Sequence, residues 1–353
     1  MDSEQAKDHS PAYIFTSSGP YSARAGFDHE LGSAVVMLSY ADQAHPAKSI
    51  MVEIAPDLGS NLFRFRVGTH DLIHCEPELL KRRGFTGNFI LWPFPNRMRG
   101  KRYTYQGRAY SLEALERPEE ALIHGLVYDR QWHYAPPALG PDAVSVTTFI
   151  EITPESPHYA AYPFESKLSL TYTVTQRGVR VAYLVENKGT QTLPYGFGLH
   201  PYFSLLSGKE QTLVALPAAV VMEADEALLP TGRLLKLESK MYAMFDLRQP
   251  TPVGNLRLDH VYTGLDPNKP ALISYQTESL RLRIATSPDF THAVIFTPPE
   301  RPYFCLEQQT CSTDALNLHA RGLQEMAHLL EVPPGATSGG FVDYLIEDAS
   351  TPS

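Results

Sequence analysis

The sequence has little cysteine and no long apolar run, and each of these features excludes a class of protein. Its three cysteines, Cys75, Cys305 and Cys311, are odd in number and match no spacing of a zinc site or a disulfide framework. We therefore expect reduced thiols and a cytoplasmic location. A chain of 353 residues, 43% of them hydrophobic, can bury enough apolar surface to fold without cross-links.

Positive charge is also scarce. The formal net charge is −9, whereas nonspecific binding to nucleic acid or to an anionic membrane requires clustered positive charge. No stretch approaches the roughly 20 apolar residues of a membrane-spanning helix. The segment Met1–Gln5 lacks the basic and apolar regions of a signal peptide. We therefore expect neither nucleic acid nor membrane among the partners.

Helical periodicity is weak, and alternation of apolar and polar residues with period two takes its place. Such alternation runs through Val144–Ile152. It recurs in Leu168–Val174 and Val179–Val185, which flank the turn sequence Gln176-Arg177-Gly178 and therefore predict a β-hairpin.

The chain is predicted to be all-β, as one large antiparallel β-sandwich with few short helices. The helix candidates are Glu76–Arg83 and Leu323–Leu330, and the 29 prolines are spread among the strands as turn and break signals. No shift in composition marks a domain border, so we expect a disordered N-terminus over residues 1–12 and a single domain over residues 13–348. A sheet curved by twist and bulges can hold a ligand cleft on its concave face.

Two segments carry polar residues suited to binding. Asn96 and Arg97 lie in a loop fixed by prolines and a glycine, and they offer donors suited to sugar hydroxyls or a ring oxygen; a surface turn with an ion-paired arginine is the alternative. His124 precedes Gly125, a pairing typical of a close backbone approach. Trp132, nearby, is suited either to stacking on a sugar or to filling the core.

Two further segments carry candidates for proton transfer. His200 follows glycines that alternate with apolar residues, and a hydrogen-bonded core histidine is the alternative reading. Glu307 follows an apolar run that predicts a buried strand, and glutamate is seldom buried unless it is paired or functional. A carboxylate held there would have a raised pKa, which suits a general base near neutral pH. A loop position just past the strand end is the alternative for Glu307.

Together these segments resemble the aldose 1-epimerase, or galactose mutarotase, family over roughly residues 50 to 346. The resemblance is carried by short motifs in a shared order, namely Asn96-Arg97-Met98 with Gly107 and Tyr110, His124-Gly125 with Trp132, His200-Pro201-Tyr202-Phe203, Leu258-Asp259, and Glu307 with Thr310 and Asp314-Ala315-Leu316-Asn317. The family has a supersandwich of antiparallel strands with an open sugar-binding cleft, and the resemblance implies the same fold here.

The resemblance also implies an activity and residue roles. Glu307 would act as the general base at the C1 hydroxyl of an aldohexose such as glucose or galactose, and His200 as the general acid at the ring oxygen. Asn96, Arg97, His124 and Asp259 would bind the substrate. No metal or other cofactor is implied, because the reaction has no redox step, and we expect a monomer or a homodimer.

Departures from the family pattern concern the substrate more than the reaction. His260 stands where a second aspartate is common, and Gln308 stands where proline is frequent. Two alternatives therefore stay open. One is a hexose-6-phosphate 1-epimerase, which needs extra cations to hold a phosphate. The other is a noncatalytic carbohydrate-binding protein on the same fold.

Overall fold

The computed structural model describes residues 14–115 and 122–348, and short β-strands dominate both ranges. The expected disordered N-terminus, residues 1–12, lies outside the described residues. In chain order the strands are β1 (Ile14–Ser18), β2 (Tyr21–Asp28), β3 (Ser33–Tyr40), β4 (Ile50–Ala55), β5 (Asn61–Val67), β6 (His70–Asp71), β7 (Asn88–Leu91), β8 (Arg97–Met98), β9 (Arg102–Tyr105), β10 (Arg108–Ser111), β11 (Leu122–Ile123), β12 (His133–Tyr134), β13 (Ala138–Leu139), β14 (Val144–Ile152), β15 (Ser166–Thr175), β16 (Gly178–Asn187), β17 (Leu193–Tyr195), β18 (Gly198–Ser204), β19 (Thr212–Ala215), β20 (Ala218–Ala224), β21 (Pro230–Lys236), β22 (Thr251–Pro252), β23 (Asp259–Leu265), β24 (Ala271–Tyr275), β25 (Leu280–Thr286), β26 (His292–Phe296), β27 (Tyr303–Gln309), β28 (Leu330–Val332) and β29 (Thr337–Asp348).

The helices are few and short. The α-helices are α1 (Pro77–Lys81), α2 (Gly208–Gln211), α3 (Ala315–Ala320) and α4 (Gln324–Ala327). Short 3-10 segments occupy Pro46–Lys48, Pro56–Leu58, Arg99–Lys101, Glu113–Leu115, Lys240–Phe245 and Val253–Asn255. Both predicted helices exist in shortened form as α1 and α4, whereas α3 gave no periodic signal in the sequence.

Three large sheets organise the strands. The first contains β1 to β6 in sequence order, and the second has ten strands in the order β12-β14-β15-β16-β29-β25-β24-β19-β22 with β13 also on β14. The third has the order β21-β20-β23-β26-β27-β18-β7, and its pairings are antiparallel. The prediction of an all-β fold with few short helices is confirmed.

The predicted hairpin is formed by β15 and β16. Thr175 pairs with Gly178, so Gln176 and Arg177 make a two-residue turn between the strands. The predicted strand Val144–Ile152 is β14. Alternation therefore located these strands correctly, because one face of each is buried and the other is at least partly exposed.

A continuous apolar core joins the three sheets. It contains Val36 and Leu38 from the first sheet, Leu168 from the second, and Leu199 and Leu306 from the third. This continuity agrees with the single domain expected over residues 13–348, a boundary that stays a prediction. The opposite face of the third sheet carries a different set of side chains, and these form the candidate site.

Cys75, Cys305 and Cys311 are all free. Within residues 14–115 and 122–348, no helix is long and apolar enough to cross a membrane.

Candidate active site

His200 and Glu307 meet on the face of the third sheet that turns away from the main core. Gly198 pairs with Gln309 and Tyr202 pairs with Cys305, so the register places His200 of β18 opposite Glu307 of β27. Nε2 of His200 lies 3.2 Å from Oε1 of Glu307. Glu307 lies inside a strand, so the alternative of a loop position past the strand end is wrong. Two residues distant in sequence are thus joined directly by strand pairing.

Burial controls the protonation of this pair. The side chain of His200 is 7% exposed and that of Glu307 is 2% exposed. Burial raises the pKa of Glu307 well above its usual 4.5 and repulsion from Asp259 adds to this, while a hydrogen bond from Gln309 and attraction to Arg97 oppose it. Burial lowers the pKa of His200 to about 3. The favoured state is therefore a protonated carboxyl beside a neutral imidazole, with one proton held between them.

Aromatic rings fix the orientation of the His200 imidazole. Phe89 of β7 stacks on it with ring centroids 4.6 Å apart, and Tyr202 stacks at 5.0 Å. The ring of His124 meets it edge-on at 4.9 Å. The sequence reading missed Phe89, because every residue of the short strand β7 is buried and its alternation carries no signal.

The predicted binding residues Asn96 and His124 lie on adjoining loops with unusual backbone geometry. Both have positive φ, 57° for Asn96 and 64° for His124, and the amide of His124 donates to the carbonyl of Asn96 at 2.9 Å. Gly125 follows with φ of 73°, and a Cβ there would lie 2.2 Å from the carbonyl oxygen of Trp92. The close backbone approach predicted at His124-Gly125 is confirmed, and Trp132 fills the core.

Arg97 and Asp259 form a partly exposed rim beside the buried pair. Nη2 of Arg97 lies 4.0 Å from Oδ2 of Asp259, and their side chains are 24% and 32% exposed. Nη1 of Arg97 donates to Oδ1 of Asn96 at 3.1 Å. Burial raises the pKa of Asp259, and attraction first to Arg97 and then to His260 opposes this. The rim therefore offers both donors and acceptors to a polar ligand.

The structure brings together all six residues predicted from the sequence. They comprise a buried histidine–glutamate pair at the floor and polar groups around it, namely His200, Glu307, Asn96, Arg97, His124 and Asp259. Gln309 was missed, although it lies two positions after Glu307 and its Nε2 donates to Oε2 of Glu307 at 2.9 Å. A buried donor and acceptor of protons beside polar side chains is suited to acid–base chemistry on a neutral polyhydroxyl compound.

Comparison with known proteins identifies the family and the fold. A family model described as "Aldose 1-epimerase" matches residues 46–327. Among curated proteins, the Escherichia coli K12 protein named "Uncharacterized protein YihR" is 27% identical over 252 residues, which are 71% of this chain and 77% of that protein. A second protein of the same strain, "Uncharacterized protein YphB", is 25% identical over 266 residues, covering 73% of this chain and 83% of the other.

Solved structures share the fold. A galactose mutarotase-like protein from Clostridium acetobutylicum superposes with a TM-score of 0.81 at 18% identity, covering 92% of this chain and 98% of that one. Galactose 1-epimerase from Lactobacillus acidophilus NCFM superposes with a TM-score of 0.72 at 17% identity, covering 96% and 98%. At these identities the likeness establishes the architecture.

Proposed function

Because the chain belongs to the aldose 1-epimerase family, we propose that it is an isomerase that interconverts the α and β anomers of an aldohexose, with Glu307 and His200 as its proton-transferring pair. The observation that carries the proposal is the 3.2 Å contact between Oε1 of Glu307 and Nε2 of His200 in a buried site. A general acid and a general base at this separation can act on neighbouring oxygens of one sugar ring.

Anomer exchange is a ring opening followed by a ring closure. Glu307 takes the proton of the C1 hydroxyl while His200 donates a proton to the ring oxygen. The bond between C1 and the ring oxygen breaks, and C1 becomes an aldehyde carbon. After rotation about the C1–C2 bond, the ring oxygen attacks the other face of C1. The ring oxygen returns its proton to His200, and Glu307 returns its proton to O1, so the pair ends in its starting state.

The pair contributes a single exchangeable proton throughout. Burial favours that proton on Glu307 in the free protein. The reaction begins from the form with a carboxylate on Glu307 and an imidazolium on His200. This form arises when the proton moves from Glu307 to His200 across their 3.2 Å contact. Sugar hydroxyls donating to the carboxylate, together with the nearby charge of Arg97, would favour this form once substrate is bound.

The rim residues hold the sugar in place. Arg97, Asn96 and His124 supply hydrogen-bonding groups toward the ring oxygen and neighbouring hydroxyls, and Asp259 accepts hydrogen bonds from one or two hydroxyls. Holding the ring so that O1 meets Glu307 and the ring oxygen meets His200 supplies the orientation on which the rate depends.

Polarimetry tests the proposal. Freshly dissolved α-glucose or α-galactose should reach its equilibrium rotation faster when the protein is present. Glu307→Gln and His200→Asn should each lose about 10²- to 10⁴-fold of the catalysed rate, with the circular dichroism of the folded protein retained. Matched controls are Glu238→Gln and His133→Asn, which make the same chemical changes at exposed positions. Wild-type rates in either site variant would contradict the assigned pair.

The charge around the site favours a neutral sugar over a sugar phosphate. Arg97 faces Asp259, and Nη2 of Arg99 lies 2.9 Å from Oδ2 of Asp225, so both guanidinium groups already have carboxylate partners. A phosphate would have to compete with these carboxylates. Comparing rates on glucose and glucose 6-phosphate separates the two substrates, and a higher rate on the phosphate would favour the alternative.

Calorimetry distinguishes the proposed enzyme from a noncatalytic carbohydrate-binding protein. Sugar binding with no acceleration of anomer exchange would identify a carbohydrate-binding protein. The presence of both members of the proton-transferring pair, in contact and buried, supports the enzyme instead.

A further inference from the structure

The two carboxylate oxygens of Glu307 have different partners. Oε1 faces Nε2 of His200 at 3.2 Å. Oε2 accepts a hydrogen bond from Nε2 of Gln309 at 2.9 Å, and this bond is buried. Gln309 is the last residue of β27 and is itself fully buried. Because side chains two positions apart lie on the same face of a strand, Gln309 and Glu307 share the face that carries the site.

A glycine opposite Gln309 makes this contact sterically available. Gly198 of β18 pairs with Gln309 in the register. A Cβ added to Gly198 would lie 3.1 Å from Cγ of Gln309 and 3.2 Å from the carbonyl oxygen of Gln308. These distances are tighter than ordinary packing, so a larger residue at position 198 would push the Gln309 side chain aside. The absence of a side chain there leaves Gln309 room to lie along the sheet toward Glu307.

We propose that Gln309 is a positioning residue that holds Oε2 of Glu307, so that Oε1 is the oxygen that exchanges a proton with the C1 hydroxyl of the sugar and with His200. This inference rests on the proposed function. A carboxylate without such a partner is free to turn about its last side-chain bond, and either oxygen could then face the sugar. A displacement of about 1 Å at a catalytic group can reduce the rate by about a hundredfold.

The hydrogen bond also affects the protonation of Glu307. An N–H donor stabilises a carboxylate more than a carboxyl, so Gln309 lowers the pKa of Glu307 against the larger effect of burial. The titratable and charged groups that face Glu307 come from several strands and are His200 and Tyr202 of β18, Asp259 of β23, Arg97 of β8 and Cys305 of β27. These groups stay in place when Gln309 is changed, so a shift in the titration of Glu307 reports on the Gln309 contact.

Gln309→Met tests the proposal, because methionine has similar length and no donor. We expect kcat to fall by about 10- to 100-fold with a smaller change in KM. The limb of the pH–rate profile that titrates Glu307 should move to higher pH by about one unit or more, as expected for losing a hydrogen bond to a charged group. Gln308→Met is the matched control, since Gln308 is also buried but lies on the opposite face of the same strand. It should leave the profile unchanged.

A second variant covers the case in which Gln309→Met does not fold. Gly198→Ala crowds the Gln309 side chain from the facing strand, and it should move the same limb in the same direction by a smaller amount. A merely structural role for Gln309 would lower the melting temperature and leave the pH profile in place. An unshifted profile in a folded Gln309→Met protein would overturn the proposal.

Titration of the Glu307 carboxyl tests the Gln309 contact independently of the proposed function. In protein labelled with 13C at glutamate carboxyl carbons, the Glu307 signal is assigned by its loss in Glu307→Gln. Its pKa should be higher in Gln309→Met than in the wild type, and an equal pKa would overturn the contact. This measurement needs no substrate, whereas absence of anomer exchange in the wild type would contradict the proposed function alone.

Discussion

At the residue scale, the proposed chemistry depends on Glu307 and His200, whose charged forms are both disfavoured by burial. Glu307 is pushed toward its protonated form and His200 toward its neutral form, so together they hold one proton and carry no net charge. Each charged form alone would be costly in so buried a site. Neighbouring charges then tune which member of the pair holds the proton.

Asp259→Asn tests that tuning. Repulsion from Asp259 raises the pKa of Glu307, so removing its charge should lower this pKa and move the Glu307 limb of the pH–rate profile to lower pH. That direction is opposite to the one expected for Gln309→Met. KM should also rise by about tenfold, because an acceptor for sugar hydroxyls becomes weaker. The check is kcat and KM for galactose across pH 4 to 10, and a shift to higher pH would contradict the assigned electrostatics.

At the element scale, strand pairing brings the site together, and this is where sequence reasoning reached its limit. Alternation located β14, β15 and β16 because each buries one face and leaves the other at least partly exposed. Almost all of β27 and the whole of β7 are buried, so their pattern does not show which residues face the site. The family resemblance supplied the pairing of His200 with Glu307, but neither pattern nor motif indicated Gln309 or Phe89.

The loop that carries His124 depends on a close backbone approach, which a pair of glycine variants can isolate. Gly125 and Gly107 have almost equal positive φ, 73° and 74°. A Cβ on Gly125 would meet the Trp92 backbone at 2.2 Å, whereas a Cβ on Gly107 would meet nothing within 4 Å. We expect Gly107→Ala to lower the free energy of unfolding by about 1 kcal/mol and Gly125→Ala by at least about 2 kcal/mol more.

Urea denaturation at pH 7 measures both glycine variants. Gly125→Ala should also reduce anomer exchange, because His124 precedes the displaced residue, and Gly107→Ala should keep the wild-type rate. Equal destabilisation by the two substitutions would contradict the importance of the close approach at Gly125.

At the scale of the whole molecule, a continuous core joins three antiparallel sheets, and the composition, turn signals and alternation were sufficient to predict an all-β chain. They could not predict how the sheets share that core, because it gathers residues from segments far apart in the chain, among them Leu38, Leu168 and Leu306. Local pattern constrains which residues face inward, whereas the partners of those residues depend on tertiary packing.

A buried histidine outside the proposed proton-transferring pair makes the protein sensitive to acid. His292 is 1% exposed, and its pKa is lowered to about 3 by burial, with repulsion from His328 adding to the effect. In the unfolded chain its pKa is about 6.5. The unfolded state therefore binds more protons below pH 6.5, so the contribution of neutral His292 to stability is complete above pH 6.5 and is lost as the pH falls toward 3.

His292→Gln tests this acid sensitivity. The free energy of unfolding of the wild type, minus that of the variant, should fall by about 1.4 kcal/mol for each pH unit below pH 6.5. His133→Gln, at an exposed position, is the control and should show no such trend. The check is urea denaturation at intervals from pH 7.5 to pH 4.5, and a difference independent of pH would contradict the burial of a neutral histidine.

The central claim is that Glu307 and His200 act as one unit on an anomeric centre, and polarimetry of a double-mutant cycle tests it most directly. The catalysed rate of α-galactose mutarotation would be measured for the wild type, Glu307→Gln, His200→Asn and the double variant. Residues that act as a unit have strongly non-additive effects, so the double variant should lose little more than the worse single variant. Losses that multiply in the double variant, or a wild-type protein that fails to accelerate mutarotation, would contradict the claim.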